Sequence, residues 1–199
     1  MTQDTTKIVT HTSSRKLPKA IKHYITNEVK ILQRGKYYLT PFLPHHIEEV
    51  LLNLSQENKR ELKLLGHLDI EEALIEMYES SECYLARKEG ESFLMVGGLW
   101  YNEDQDFPQM FSMFSKDFAD HFVPIARGSK MLVNFFDKTQ DMMSMTILSD
   151  YEFMVQWATW LGFEVVGVIE SNSQKYVEFV RCNPNRKSVY DGASRPVMH

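Results

Sequence analysis

The sequence contains little cysteine, and its two cysteines, Cys83 and Cys182, lie far apart. They form neither a CxxC pair nor a Cys/His spacing typical of structural zinc, so we expect no metal site and no disulfide framework. No run reaches about 18 apolar residues, and the N-terminal sequence MTQDTTKIVT lacks the apolar stretch of a signal peptide. We therefore expect no membrane contact, and a protein that stays in the reducing cytoplasm where it is made.

Glycine and proline are also scarce, with nine and seven occurrences among 199 residues. This composition excludes collagen-like and low-complexity chains. The 43 % hydrophobic and 25 % charged residues are those of an ordinary globular protein. The length fits one domain with additional segments.

Charge is unevenly distributed along the chain. Residues 1–36 carry eight Lys and Arg against Asp4 and Glu28, a net +6, whereas residues 37–182 carry −13 and residues 183–199 carry +2. We predict a basic N-terminal arm, an acidic domain over 37–182 and a short C-terminal tail. An acidic domain repels a polyanion, so the arm and tail favour protein partners over nucleic acid.

The hydrophobic periodicity of residues 37–182 changes every 8–20 residues and predicts a series of short helices and strands. Strands are predicted over 37–40, 82–87, 92–101, 107–114, 141–148, 163–170 and 175–182. Helices are predicted from Pro44 onward, over 56–78 with a break near Gly66, within 116–136 beginning near Val123, and over 150–161. We expect Ser149 or Asp150 to cap the last helix and Gly162 to end it.

The order of the predicted helices and strands excludes a doubly wound sheet and a barrel. It predicts an α/β protein of the α+β type, with a mixed, mostly antiparallel sheet and helices on both faces. The element order and Trp160-Leu161-Gly162-Phe163, which runs straight into a strand, resemble the acyl-CoA N-acyltransferase (GNAT) fold over 37–182. More narrowly, the chain looks like the small GNAT-like internal virion and assembly proteins of short-tailed phages.

The resemblance implies a site for acetyl-CoA, whose pyrophosphate the family holds on a glycine-containing loop that leads into a helix. One register of that loop covers 123–132, keeps Gly128 and replaces the first glycine by Ala126. The other register covers 115–121 and contains no glycine. Either register predicts a degraded phosphate site. The residues expected to contact the cofactor are Phe114, Ala126, Arg127, Gly128 and Ser129.

The resemblance also implies a carboxylate base near the 107–114 strand and a tyrosine acid four residues before Gly162. The tyrosine position is occupied by Ala158, with Tyr151 or Thr159 as the available substitutes. The catalytic residues therefore stay unknown. Carboxylates near the strand are Glu103, Asp104, Asp106 and Asp117, all of which also suit exposed loops.

Three hypotheses follow. The first is a phage GNAT-fold protein with a degraded acetyl-CoA site and a non-catalytic role in the virion or its assembly. Its partners would be other phage structural proteins or further copies of itself, and it would be found in the host cytoplasm during infection and in the virion. The alternative is an active N-acetyltransferase that moves acetyl from acetyl-CoA to an amine. A second alternative is a host-takeover binding protein. An open slot between the 107–114 and 141–148 strands would favour the enzyme, and a slot filled by Phe114 or Met145 would oppose it.

Overall fold

The architecture is that of one twisted sheet with helices on both faces. The computed structural model describes residues 30–102 and 105–184, and every structural statement below concerns these residues. Eight strands form the sheet in the order β1-β2-β3-β4-β5-β6-β8-β7. They are β1 (Leu32–Arg34), β2 (Tyr37–Pro41), β3 (Ser81–Lys88), β4 (Phe93–Trp100), β5 (Gln109–Phe114), β6 (Met142–Leu148), β7 (Glu164–Ser171) and β8 (Gln174–Cys182).

Five α-helices of the described part of the chain pack on this sheet. They are α1 (Ile47–Asn53), α2 (Gln56–Leu64), α3 (Ile70–Ser80), α4 (Phe122–Phe136) and α5 (Glu152–Trp160). Two short 3-10 helices, Pro44–His46 and Phe118–His121, run directly into α1 and α4. The predicted fold class is confirmed, because neighbouring strands are antiparallel except β5 and β6, which are parallel.

The core is divided by the sheet into two layers. One layer lies under α1–α3 and includes Val50, Leu74 and Phe93, none of which is exposed. The other lies under α4 and α5 and includes Phe136 and Phe179, which are also fully buried. Alternation along each strand sends successive side chains to opposite layers, which explains why the central strand β4 is apolar along its whole length.

The structure differs from the sequence prediction at two places. The strand β1 belongs to the predicted arm but pairs with β2 across a turn in which Gly35 has a φ of +61°. The predicted N-cap of α5 is wrong: Tyr151 occupies the N-cap position without a side-chain cap, and Asp150 instead pairs with Arg60 at 3.1 Å. The predicted end of this helix at Gly162 is confirmed, with a φ of +89°.

The division into arm, domain and tail otherwise stays a prediction, because most of both terminal segments lies outside the described residues. Among the helices that the structure describes, none has both the length and the hydropathy required to cross a bilayer.

Candidate functional site

The sheet divides between β5 and β6. These parallel strands are paired at one position, Gln109 opposite Ser144, where the Ser144 amide donates to the carbonyl of Pro108 at 3.0 Å. On the other side, β5 pairs with β4 along its whole length. Beyond Ser144 the two strands have no further ladder pairs, so a slot opens between their carboxyl ends. It is the place where the GNAT resemblance puts acetyl-CoA.

Aromatic side chains fill the slot. The ring of Phe114 at the end of β5 lies 4.4 Å from Phe118 and 5.9 Å from Trp157, and Phe118 lies 6.0 Å from Trp157. We call these three residues the aromatic plug. Phe114 is 1 % exposed, Trp157 is 4 % exposed, and the neighbouring Met145 of β6 is buried in the same cluster. Rings at these separations attract one another by about 0.5–1.5 kcal/mol per pair beyond the burial of their surface.

The backbone at the end of β5 is also occupied. The amide of Phe114 donates to the Asn58 Oδ1 atom at 2.8 Å, and the carbonyl of Phe114 accepts from the amide of Ser55 at 3.0 Å. Asn58 is 2 % exposed and is held in place by the Ser55 hydroxyl, which donates to the same Oδ1 at 3.1 Å. Both polar groups of Phe114 are therefore satisfied by the N-terminal part of α2 and the residue before it.

Several amides of the connection between β5 and α4 donate within the protein. The amides of Lys116, Phe118 and Asp120 donate to carbonyls of the protein itself, at 2.9–3.2 Å. A pyrophosphate needs several free N–H groups on a backbone that it can approach closely. Residues 115–121 contain no glycine. The plugged slot therefore does not fit acetyl-CoA in this arrangement, and its phosphate end lacks a glycine-containing loop.

Four of the five residues predicted to contact the cofactor lie in α4. Phe114 lies in the slot, but Ala126, Arg127, Gly128 and Ser129 lie inside α4, past its first turn. Helix geometry already uses interior amides, so this segment cannot present a row of free N–H groups. Ala126 and Ser129 are buried, and the Ser129 hydroxyl donates to the Met95 sulfur at 3.4 Å. Cofactor contact by these four residues stays a prediction.

Two plug residues were not among the predicted site residues. Phe118 follows the end of β5 by four positions, and Trp157 lies in α5, one position before Ala158. Phe122 and Phe153 extend the cluster, each within 6.1 Å of Phe118. The aromatic residues at positions 114, 118 and 122 are the sequence signal that could have located this cluster.

The predicted catalytic positions do not form a centre. Ala158 is fully buried in α5, and Asp106 and Asp117 lie in the connections on either side of β5. Glu103 and Asp104 lie outside the described residues. Of the two substitutes for the acid, Thr159 donates its hydroxyl to the carbonyl of Val155 at 3.0 Å.

Tyr151, the other substitute, borders an acidic recess of about 310 Å³ between α2 and the end of β6. Burial, together with the nearby Glu57 and Glu61 carboxylates, raises the pKa of Tyr151 to about 12. Burial likewise raises the pKa of Glu61, against the opposing hydrogen bond from Asn58. The recess has the charge to attract an amine, and the sequence did not predict it because Glu61 has the spacing of an ordinary helix surface residue.

Comparison with known proteins identifies the fold. No family model matches the sequence, and no curated protein matches it. Among solved structures, a probable acetyltransferase aligns with 80 % of this chain and 99 % of its own, at 12 % identity and a TM-score of 0.61.

Two further structures have named activities. Ribosomal-protein-S5-alanine acetyltransferase from Vibrio fischeri covers 79 % of this chain and 98 % of its own, at 9 % identity and a TM-score of 0.59. Spermidine N-acetyltransferase from Vibrio cholerae, in complex with CoA and spermine, covers 75 % and 97 %, at 9 % identity and a TM-score of 0.60. At these identities the likeness establishes the fold: the chain has the fold of the GNAT acetyltransferases.

Proposed function

We propose that this chain uses the GNAT fold as a non-catalytic binding scaffold, with the acetyl-CoA slot closed by its own side chains. The observation that carries the proposal is the aromatic plug between β5 and β6. The internal hydrogen bonds of Phe114 support it, because they leave neither its amide nor its carbonyl free for a thioester group. The fold then serves to present surfaces to other proteins.

An exposed apolar surface supports this role. Trp160 at the end of α5 is 48 % exposed, and four aliphatic residues of the edge strand β7 are between 42 % and 62 % exposed. These residues are Val165, Val166, Val168 and Ile169. An edge strand with apolar side chains on both faces and an unpaired backbone edge is suited to contact another protein.

The resemblance to internal virion proteins gives the proposal a particular form, in which the partners are phage structural proteins or further copies of this chain. Mass spectrometry of purified particles and of assembly intermediates tests this form. We expect peptides of the chain at a reproducible copy number. Their absence from both preparations contradicts a virion or assembly role.

Titration calorimetry with acetyl-CoA tests the closed slot. We expect no binding by the wild-type protein at millimolar cofactor, because the plug occupies the space. Phe118→Ala removes the half-buried ring of the plug, and Phe135→Ala makes the same change on a ring that packs elsewhere, against Tyr84. If acetyl-CoA binds to Phe118→Ala but not to Phe135→Ala, the plug is what excludes the cofactor from the slot of the wild-type protein. Binding by the wild-type protein contradicts the proposal.

A second candidate is an active N-acetyltransferase, which the structural neighbours favour over a scaffold. The divergence of β5 from β6 supports it, as does the acidic recess beside α2. In this case the plug must move aside when a cofactor enters, as the minor state of a two-state equilibrium. Transfer of labelled acetyl from acetyl-CoA to spermidine, lost in Glu61→Gln and kept in Glu79→Gln, an exposed α3 variant outside the recess, supports this candidate. Absence of both binding and transfer contradicts it.

A further inference from the structure

A second recess lies away from the slot, where α4 passes over the strands at the other end of the sheet. It has a volume of about 480 Å³, within the range of about 300–1,000 Å³ that is usual for small-molecule sites. β1 and β2 form one wall, β4 forms the floor and α4 forms the other wall. We call it the β1–α4 cavity.

Most of the surface of the β1–α4 cavity is apolar. Leu32 and Leu39 contribute from β1 and β2, Leu94 and Met95 from β4, and Ile125 and Met131 from α4. All six of these side chains are aliphatic or thioether groups, with no hydroxyl or amide among them. Such walls exclude water and accept a flexible hydrocarbon chain.

Cationic side chains border the same cavity. Arg34 and Arg127 are both exposed and both border it, and neither forms an ion pair with another described residue. The carboxylates of the turn between β3 and β4 already have partners: Glu89 accepts from Lys30 at 2.9 Å, and Glu91 pairs with Lys88 and with His121. The positive charge at the rim is therefore available to an anion.

We propose that the β1–α4 cavity binds an anionic amphiphile of the fatty-acid class. Its hydrocarbon chain lies between the sheet and α4, and its carboxylate is held at the rim by Arg34 and Arg127, whose guanidinium groups suit a planar carboxylate. An alcohol of the same length contacts the apolar walls but has no charge for the rim arginines to bind. An alkylammonium ion is repelled by those arginines. The site is separate from the slot and does not depend on the proposed scaffold role.

Gly128 gives a direct way to fill this cavity. It lies within α4 on the cavity side, and a Cβ built on it meets no atom within 4 Å. Gly128→Phe therefore places a ring toward the open space, whereas Gly128→Ala leaves most of the volume and serves as its matched control. Both changes remove a glycine from a helix interior, which favours folding.

Titration calorimetry of the full chain with dodecanoate, dodecanol and dodecylammonium, each below its micelle concentration, tests the proposal. We expect dodecanoate to bind at least about tenfold more tightly than the other two, and Gly128→Phe but not Gly128→Ala to abolish binding. Equal affinity for all three probes overturns the proposal, as does tight binding by Gly128→Phe.

Surface variants keep the test decisive if Gly128→Phe does not fold. Arg34→Gln combined with Arg127→Gln removes the rim charge at exposed positions and is expected to weaken dodecanoate binding about tenfold or more, with dodecanol unchanged. Lys130→Gln removes the same charge from α4 outside the cavity, where Lys130 lies 5.0 Å from the Trp160 ring. Equal weakening by Lys130→Gln overturns the assignment to the rim arginines.

Discussion

Two glycines differ in what a single added carbon atom would meet. A Cβ on Gly98, in β4, would overlap the carbonyl oxygen of Glu82 and lie 3.0 Å from the Cα atom of Cys83. Both obstacles are backbone atoms of the paired strand β3, which cannot move without breaking the ladder. A Cβ on Gly128 meets no neighbouring atom.

Gly98→Ala is therefore expected to lower the free energy of unfolding by about 1–3 kcal/mol, as overpacking does. Gly128→Ala is expected to raise it by about 1 kcal/mol, because alanine is the better residue within a helix. Urea denaturation of the two variants checks the contrast. A stable Gly98→Ala protein would mean that β3 and β4 are not in close register at this point.

Glu61 makes stability depend on pH in the opposite direction from a paired carboxylate. Burial raises its pKa in the folded protein above the ordinary glutamate range. At pH values just above the ordinary glutamate pKa, the Glu61 carboxyl is more protonated in the folded state than in the unfolded state. The contribution of Glu61 to stability therefore falls as pH rises through its folded-state pKa.

We expect Glu61→Gln to gain stability relative to the wild-type protein as pH rises from 4 to 7, and Glu57→Gln to show a smaller change over the same range. Thermal unfolding of the three proteins at each pH measures the difference. A constant difference across the range contradicts the raised pKa.

At the scale of elements, two aspartates that each precede a helix have different structural roles. Asp69 caps α3, where its Oδ1 atom accepts from the amides of Glu71 at 2.8 Å and Glu72 at 3.3 Å. Asp150 precedes α5 but contacts Arg60 in an ion pair in which both side chains are more than half exposed.

Asp69→Ala is expected to cost about 1 kcal/mol, the usual value of an N-cap, and Asp150→Ala less than that, since an exposed ion pair contributes little. Chemical denaturation of both variants measures the two costs. If Asp150→Ala costs as much as Asp69→Ala, its carboxylate stabilises α5 in a way that the hydrogen bonds do not show.

Local patterns explain why most elements could be predicted. The turn at 171–174 joins β7 to β8 with positive φ angles at Asn172 and Ser173, and Gly162 ends α5 with a φ of +89°. Each of these depends on residues close in sequence. The strand β1 was not predicted, because it forms by pairing with β2. The N-cap of α5 was not predicted correctly, because Asp150 pairs with Arg60, a residue distant in sequence.

The slot could be predicted only in part. The parallel pair and Phe114 follow from the order of elements, but the packing of Phe118 against Trp157 joins residues 39 positions apart. Nothing in either local sequence fixes that distance. The acidic recess is similar, since Glu61 and Tyr151 come together only when α2 meets the end of β6.

For the whole molecule, the weak pairing of β5 with β6 divides the sheet into two parts. The strands β1–β5 form one ladder, the strands β6, β8 and β7 form the other, and one backbone pair joins them. Side-chain packing across the slot therefore supplies most of the cohesion between the two parts. Contiguous units of this kind open separately in hydrogen exchange.

Trp157→Ala removes the largest plug residue and is expected to cost about 3–5 kcal/mol. We expect it to accelerate amide exchange in β6 and β8 more than in β3 and β4. Phe135→Ala, a comparable truncation away from the slot, is the control and is expected to leave the ratio unchanged. Uniform acceleration in Trp157→Ala would mean that the sheet opens as one unit.

The plug has a consequence for where the protein can function. A fold that is held together by a dissociable cofactor loses stability when the cofactor is diluted, as mass action requires. Phe114, Phe118 and Trp157 belong to the chain, so they occupy the slot at an effective concentration that no dilution changes. The two parts of the sheet therefore stay joined wherever the chain is carried, without a supply of metabolites.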